Sequence, residues 1–237
     1  MPIINLVYEW YEPPYEWKPD ASRTLLYLPL ESDATDMSGN NRTTSPSSIT
    51  YTTVGWITSA HIWTNWWISV SPLWFITNTN PKTISFLYYV TSQTSSSRRY
   101  LMERAVKNKT YQNILILGNT SYWNCSASNT IISTSWSVVA NSWQHVVITQ
   151  NNDSNDATGY KIYINWVLNN TTSWNAKPRW SWPNSYEQVQ NLFSNRDGLN
   201  TNQSLNGNVR EIIFEDIEWS ADDVSNYYTR IKAKLWF

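Results

Sequence analysis

Glycine is scarce in this sequence, which has 6 glycines among 237 residues; the usual share is about 7%. No P-loop, GxGxxG, GxSxG or HExxH pattern is present, and no paired Cys/His spacing suits a zinc ion. These absences exclude the common phosphate-cradling loops, the dinucleotide fingerprint, the nucleophile elbow and the metalloprotease helix.

Cysteine and charged residues are also few. Cys125 is the one cysteine, so no disulfide can form within the chain, and we interpret it as a buried or idle thiol. The formal net charge is −1 and charged residues make up 15% of the chain. Because Lys and Arg are scattered, we exclude a nucleic-acid partner. Abundant Asn, Ser and Thr favour an extracellular, cell-surface or virion-surface β protein.

Long hydrophobic runs are missing as well. No apolar run approaches the ~20 residues of a membrane span, so we expect no membrane insertion. Residues 1–5 lack the basic and apolar regions of a signal peptide. We therefore expect export by another route, or a chain that is part of a larger protein.

The first twenty residues differ in composition from the rest. Tyr8-Glu9-Trp10 and Tyr15-Glu16-Trp17 repeat a short motif around two prolines, and prolines at this density favour an extended chain. We predict an arm or linker over residues 1–20 and one domain over residues 21–237, a size that suits a single all-β domain.

The rest of the chain contains many short strand patterns separated by polar turns. Residues 82–90 alternate as a core strand, with Ile84, Phe86 and Tyr88 on one face. Residues 143–149, 160–164 and 167–171 predict three further strands. Such a series indicates an antiparallel β-sandwich of the jelly-roll type.

A C-terminal helix is predicted after Ser220. Ser220 can cap the helix, and Asp223 stands three residues on, in capping-box spacing. Val224, Tyr227 and Ile231 fall on one helical face together with Tyr228. We expect this helix to close one end or edge of the sandwich.

Residues 143–166 carry a resemblance to a known family. A "W-x-H-V" strand containing His145 precedes Tyr163-Ile164-Asn165, which is similar to the "L-Y-V-N-G" hairpin of the LamG-like, concanavalin A-like lectin/glucanase domains. Residues 25–40 resemble the opening of the same domains, and residues 206–224 their end. The resemblance implies a jelly roll that binds carbohydrate, and it covers nearly the whole chain.

Trp166 replaces the glycine of that hairpin, and a two-residue turn there requires positive φ, which tryptophan adopts poorly. Similar turn-like settings hold nine other tryptophans: Trp56, Trp63, Trp66, Trp74, Trp123, Trp136, Trp174, Trp180 and Trp182. Exchanging these ten would reverse the present 16 Trp and 6 Gly. We hypothesise that UGA codons read as glycine in the source organism were translated as tryptophan, so that Trp166→Gly stabilises the domain. The alternative is a genuine sugar-stacking surface.

Two groups of polar residues are candidate ligand contacts. Asp33, Asp36 and Asn40 are hard oxygen ligands that could hold Ca²⁺, although the same residues build Asx-turns. Sugar sites on such sandwiches combine hydrogen-bonding loop residues with aromatic platforms. The candidates of that kind are Arg98, Arg99, Asn195, Arg196 and Asp197 in loops, with Tyr100 as the platform.

The glucanases of this fold carry an "E-x-D-x-E" strand, and residues 211–215 are the nearest match. Ile213 replaces the middle acid, and Glu211 and Glu215 are ~13 Å apart along a strand, too far for a retaining mechanism. We therefore predict a non-catalytic carbohydrate-binding or adhesion domain of a surface or phage structural protein, with a glycan or cell-surface polysaccharide as partner. The alternatives are a decoration or fibre domain without a defined ligand and, third, a β-glucanase.

Overall fold

The computed structural model describes residues 18–63, 67–71, 83–91, 98–106, 109–117, 120–124, 130–132, 139–150, 160–171, 188–193 and 206–235. The predicted arm lies outside these ranges except for its last three residues. The elements in chain order are β1 (Thr24–Leu28), β2 (Thr43–Ser47), β3 (Thr50–Val54), β4 (Ile57–Ile62), β5 (Trp67–Ser71), β6 (Thr83–Val90), β7 (Arg98–Val106), β8 (Lys109–Leu117), β9 (Thr120–Asn124), β10 (Thr130–Ile132), β11 (Trp143–Gln150), β12 (Tyr160–Ile164), β13 (Val167–Thr171), β14 (Gln188–Leu192), β15 (Gly207–Glu215) and α1 (Ala221–Leu235).

The strands form two antiparallel sheets, which confirms the predicted β-sandwich. The eight-stranded sheet has the order β13-β12-β11-β6-β15-β4-β3, with β1 also paired to β15. The seven-stranded sheet has the order β10-β9-β8-β7-β14-β5-β2. Strands β6 and β15 are central in the first sheet, although more than a hundred residues separate them in the chain. The fold is therefore held by pairings that are distant in sequence.

The main core lies between the two sheets. Ile84, Phe86 and Tyr88 of β6 all point into it, as their alternation predicts. Phe86 meets Phe214 of β15 edge to face, with ring centroids 6.1 Å apart. The seven-stranded sheet contributes Ile68, Val70 and Leu192.

A second core lies on the outer face of the eight-stranded sheet, where helix α1 packs. Leu87, Val147 and Ile213 face Val224 and Tyr227 of the helix in this core. The expectation that the helix closes an end or edge is therefore wrong. The central strands carry apolar residues on both faces, and a sheet of that kind needs a covering layer on each side.

The hairpin between β12 and β13 has the predicted two-residue turn. Asn165 has φ 47° and Trp166 has φ 71°, the positive values that a type I′ turn requires. Asn165 also joins the turn to β11, because its backbone N–H donates to the His145 carbonyl at 2.8 Å and its Oδ1 accepts from the His145 N–H at 2.8 Å. The asparagine is thus well suited to its position.

Strands β4 and β5 are neighbours in the chain but belong to different sheets. Trp123 lies within β9 rather than in a turn, whereas Trp56 does occupy the turn between β3 and β4. Within the described part of the chain, no helix has the length and apolarity needed to cross a membrane.

The helix begins with the predicted capping box. The Asp223 N–H donates to Ser220 Oγ at 3.1 Å, and Asp223 Oδ2 accepts from the Ser220 N–H at 2.9 Å. Because Ser220→Ala leaves a helix-end N–H without its acceptor, we expect a loss of about 0.5–2 kcal/mol in the free energy of unfolding. Urea denaturation measures it, with Ser225→Ala inside the helix as control. Equal midpoints for the two variants would contradict the capping role.

Candidate binding site

The predicted carbohydrate contacts fall in two places. Arg98, Arg99 and Tyr100 begin strand β7, so the two arginines lie in a strand and not in a loop. Residues 195–197 lie outside the described residues. Strand β14 runs antiparallel to β7, and its last residue, Leu192, pairs with Met102 in the middle of β7. A shared site for the two segments stays a prediction.

The predicted calcium ligands lie in a loop closed by hydrogen bonds. Asp36 is buried, and its carboxylate accepts the backbone N–H groups of Tyr27, Ser38 and Arg42 at 2.9–3.1 Å. Asn40 Nδ2 donates to the Thr24 carbonyl at 2.7 Å. Among the residues that the structure describes, no three acidic, His or Cys side chains are grouped to hold a metal ion. These bonds fit the Asx-turn interpretation, and calcium binding stays a prediction.

The two acids closest to the glucanase pattern are both buried. Glu211 sits at a β-bulge with φ 54°, and its Oε2 accepts from the hydroxyls of Tyr27 at 2.9 Å and Tyr227 at 3.0 Å. Glu215 Oε2 accepts from Trp219 Nε1 at 2.5 Å. Both carboxylates therefore join the sheet to the segment that carries α1, and they offer a polysaccharide no access.

The tyrosine hydroxyls around Glu211 remain donors over a wide pH range. Burial, and then the negative charge of Glu211, raise the pKa of Tyr27 and of Tyr227. A protonated hydroxyl donates to a carboxylate, and bonds to charged groups are stronger than neutral ones. This buried network therefore holds the helix on the sheet.

An open cleft of ≈ 490 Å³ lies beside the C-terminal end of α1. Four separate segments meet there: the chain after β1, the β3–β4 hairpin, the first half of β15 and the last turn of the helix. The lining residues are Glu31, Ser32, Trp56, Thr58, Arg210, Lys234 and Leu235. A concave site of this size can take a small ligand.

Two cations and one carboxylate, Arg210, Lys234 and Glu31, line the cleft, and the buried Glu211 pairs with both cations. Arg210 is buried; its Nη2 pairs with Glu31 Oε1 and its Nη1 donates to the Thr58 carbonyl at 2.5 Å. Lys234 Nζ lies 3.2 Å from Glu31 Oε1 and 3.3 Å from Glu211 Oε1. The four charges balance, and the ion pairs fix the position of the exposed groups.

Sequence reasoning missed this cleft because its residues are far apart in the chain. Glu31 and Lys234 are separated by 203 positions, and no local motif links them. Arg210 precedes the acids of the glucanase-like stretch, but its role depends on the pairing of β15 with β4. That pairing is a tertiary feature without a local signal.

Five of the described tryptophans are either clearly exposed or buried, and Trp67 of β5 is intermediate. Trp56 is 88%, Trp63 50% and Trp166 51% exposed, whereas Trp143 is 8% and Trp219 2% exposed. The first three are among the ten positions that the glycine hypothesis singles out, and the last two are not. Misread glycines are expected at the surface, so this division supports the hypothesis, which stays a prediction.

His145 is buried beneath the helix and gives a testable pH dependence. Its Nε2 lies 2.7 Å from Ser85 Oγ, and its ring faces those of Tyr227 and Tyr228. Burial lowers the pKa of His145 from 6.5 to about 3, so the folded protein holds the ring neutral while the unfolded chain takes up a proton. Stability is therefore full above pH 6.5 and falls as the pH drops towards 3.

We expect the free energy of unfolding to fall by up to about 1.4 kcal/mol per pH unit as this single histidine titrates in the unfolded chain. Urea titrations between pH 7 and 5, above the range of most carboxyl groups, measure the slope. His145→Gln is the comparison, since it removes the titrating ring. An unchanged slope in that variant would show that other groups cause the dependence.

Comparison with known proteins finds solved structures of a similar fold. No protein-family model matches the chain, and no curated protein does. Among solved structures, the receptor-binding domain of botulinum neurotoxin C/D mosaic serotype is similar at 17% identity with a TM-score of 0.63, over 89% of this chain and 52% of that one.

Two further solved structures are similar to this chain. The binding domain of botulinum neurotoxin DC, solved in complex with rat synaptotagmin II, has 15% identity and a TM-score of 0.65 over 89% of this chain and 52% of that one. The receptor-binding domain of botulinum neurotoxin type G has 16% identity and a TM-score of 0.59, over 87% and 51%. The chain thus spans about half the length of the structures it matches. At this level of identity, the likeness establishes the β-sandwich fold.

Proposed function

We propose that this chain is a non-catalytic carbohydrate-binding or adhesion domain, LamG-like in type, within a larger cell-surface or virion protein. The observation that carries the proposal is a contrast between acids. Glu211 and Glu215 are closed beneath the helical layer, whereas Glu31 is exposed in an open, charge-balanced cleft. Such a surface is suited to holding a ligand, and the acid nearest to Glu31 there, Glu211, is buried and not open to a substrate.

The solved structures support a binding role. They are receptor-binding domains of botulinum neurotoxins, and the similarity covers nearly all of this chain and half of theirs. By that analogy, we propose a cell-surface polysaccharide or glycan as the partner and further domains beside this one. Calcium at Asp33, Asp36 and Asn40 remains part of the proposal as a stabiliser of the loop after β1.

An oligosaccharide array tests the proposal. The purified chain is labelled and applied to printed neutral and acidic glycans, with and without calcium. We expect saturable retention on a defined subset of glycans. Uniform absence of retention across the array would refute carbohydrate binding.

The second candidate, a decoration or fibre domain without a defined ligand, has one observation in its favour. Trp166, Val167 and Leu168 are all about half exposed, next to one another at the edge of the eight-stranded sheet. Contiguous exposed apolar residues mark contact surfaces between proteins. Sedimentation analysis separates the candidates, because a display domain is expected to self-associate through this edge and to ignore the array.

A further inference from the structure

We propose that the cleft beside the end of α1 binds a neutral saccharide, with Glu31 accepting hydrogen bonds from sugar hydroxyls and Lys234 donating to them. This inference rests on the proposed function and assigns its site. It differs from the contacts expected at Arg98–Tyr100 and residues 195–197, because β7 belongs to the other sheet.

The Glu31 carboxylate is held in a fixed position by Arg210. Arg210 is buried, and its guanidinium holds the Thr58 carbonyl with one nitrogen and Glu31 Oε1 with another. Arg210 therefore acts as a positioning residue. A carboxylate fixed in advance loses little conformational freedom when it meets a ligand.

Glu31 and Lys234 both keep hydrogen-bonding capacity that a ligand can use. Glu31 Oε1 accepts from Arg210 and Lys234, and among the described residues Oε2 receives no hydrogen bond. Lys234 Nζ uses two of its three protons, one towards Glu31 and one towards Glu211. Both side chains are nearly half exposed. The cleft thus presents one fixed acceptor beside one fixed donor.

This pair of acceptor and donor matches the hydroxyl groups of a sugar. Adjacent hydroxyls of a sugar can donate to a carboxylate through one and accept from an ammonium through the next. Because Arg210 and Lys234 are already balanced by Glu31 and the buried Glu211, an anionic group would meet the Glu31 carboxylate without a spare cation. The arrangement favours a neutral saccharide, and the volume of ≈ 490 Å³ falls in the range of small-ligand sites.

Trp56 stands at the rim of the cleft and is one of the ten tryptophans in question. Its backbone follows Gly55 in the β3–β4 turn. The proposed hydrogen bonds to the sugar come from Glu31 and Lys234. The proposal therefore holds with either tryptophan or glycine at position 56. Trp56→Gly is therefore expected to change saccharide affinity far less than substitutions of Glu31 or Lys234.

Matched substitutions in the 237-residue chain test the site. Glu31→Gln and Lys234→Met each remove one charged partner while keeping side-chain size. Glu218→Gln and Lys232→Met repeat the same chemistry elsewhere, since Glu218 pairs with Lys161 and Lys232 lies over the Tyr228 ring. Affinity for the neutral oligosaccharides retained on the array is measured by calorimetry, and urea midpoints confirm that each variant is folded.

We expect Glu31→Gln and Lys234→Met to weaken binding roughly ten- to a hundredfold, the loss of one hydrogen bond to a charged group, and the controls to bind as the parent does. Binding that survives both cleft substitutions would refute this site while the proposed function stands. Retention of acidic glycans alone would refute the neutral class. A parent protein that retains no glycan would overturn both the site and the function.

Discussion

Replacing Tyr227 by alanine is expected to lower the free energy of unfolding by about 3–5 kcal/mol, the usual cost of removing a buried aromatic ring. Tyr227 is fully buried between α1 and the eight-stranded sheet. Its ring meets those of His145 and Trp219, and its hydroxyl donates to Glu211. One substitution therefore opens a cavity and removes a partner of a buried carboxylate.

Two companion variants separate these contributions. Tyr227→Phe keeps the ring and removes the hydroxyl, so we expect a loss of about 1.5–3 kcal/mol, the worth of a hydrogen bond to a charged group. Tyr228 is only partly buried, and Tyr228→Ala should cost clearly less than Tyr227→Ala. Urea denaturation measures all three. If Tyr228→Ala were the more destabilising, the helix would lie on the sheet by a different face.

The buried and exposed tryptophans are expected to respond to glycine in opposite ways. Trp219→Gly should cost about 3–5 kcal/mol or more, because its indole is buried, packs on Tyr227 and donates to Glu215. Trp166→Gly relieves a left-handed backbone conformation that costs roughly 1–2 kcal/mol for a residue with a side chain. We therefore expect its midpoint to be no lower than that of the parent protein.

The structure adds a contact that the sequence did not reveal. Trp166 stacks on Tyr228 with ring centroids 6.1 Å apart and planes within 4°, an interaction worth roughly 0.5–1.5 kcal/mol. Trp166→Ala removes the same stack but keeps the backbone strain, so Trp166→Gly should be more stable than Trp166→Ala by about 1 kcal/mol. An Ala variant as stable as the Gly variant would contradict the strained turn, and a UGG codon at position 166 would end the coding hypothesis.

Features with a local cause could be predicted closely from the sequence. Alternation placed a strand over residues 82–90, and β6 covers Thr83–Val90. The two-residue turn that begins at Asn165 predicted the β12–β13 hairpin. The Ser220 capping box predicted the start of α1. In each case, neighbouring residues supply both the pattern and the interaction that stabilises it.

Features with a distant cause could not be predicted. Strand β2 reads Thr-Thr-Ser-Pro-Ser and lacks apolar alternation; its Pro46 is tolerated because β2 is an edge strand. The position of α1 depends on which sheet face remains uncovered. The cleft depends on bringing Glu31, Arg210 and Lys234 together from three parts of the chain. Local sequence patterns carry no information about such tertiary contacts.

The central claim is that the domain binds saccharides without hydrolysing them. The most direct test measures binding and hydrolysis in the same incubation. The chain is incubated with the oligosaccharides that it retains on the array and with soluble β-glucans, while bound ligand and new reducing ends are measured over time. We predict saturable binding and a constant number of reducing ends, because Glu211 and Glu215 are closed beneath the helical layer. Reducing ends that accumulate, and that cease to do so in Glu211→Gln, would contradict this account.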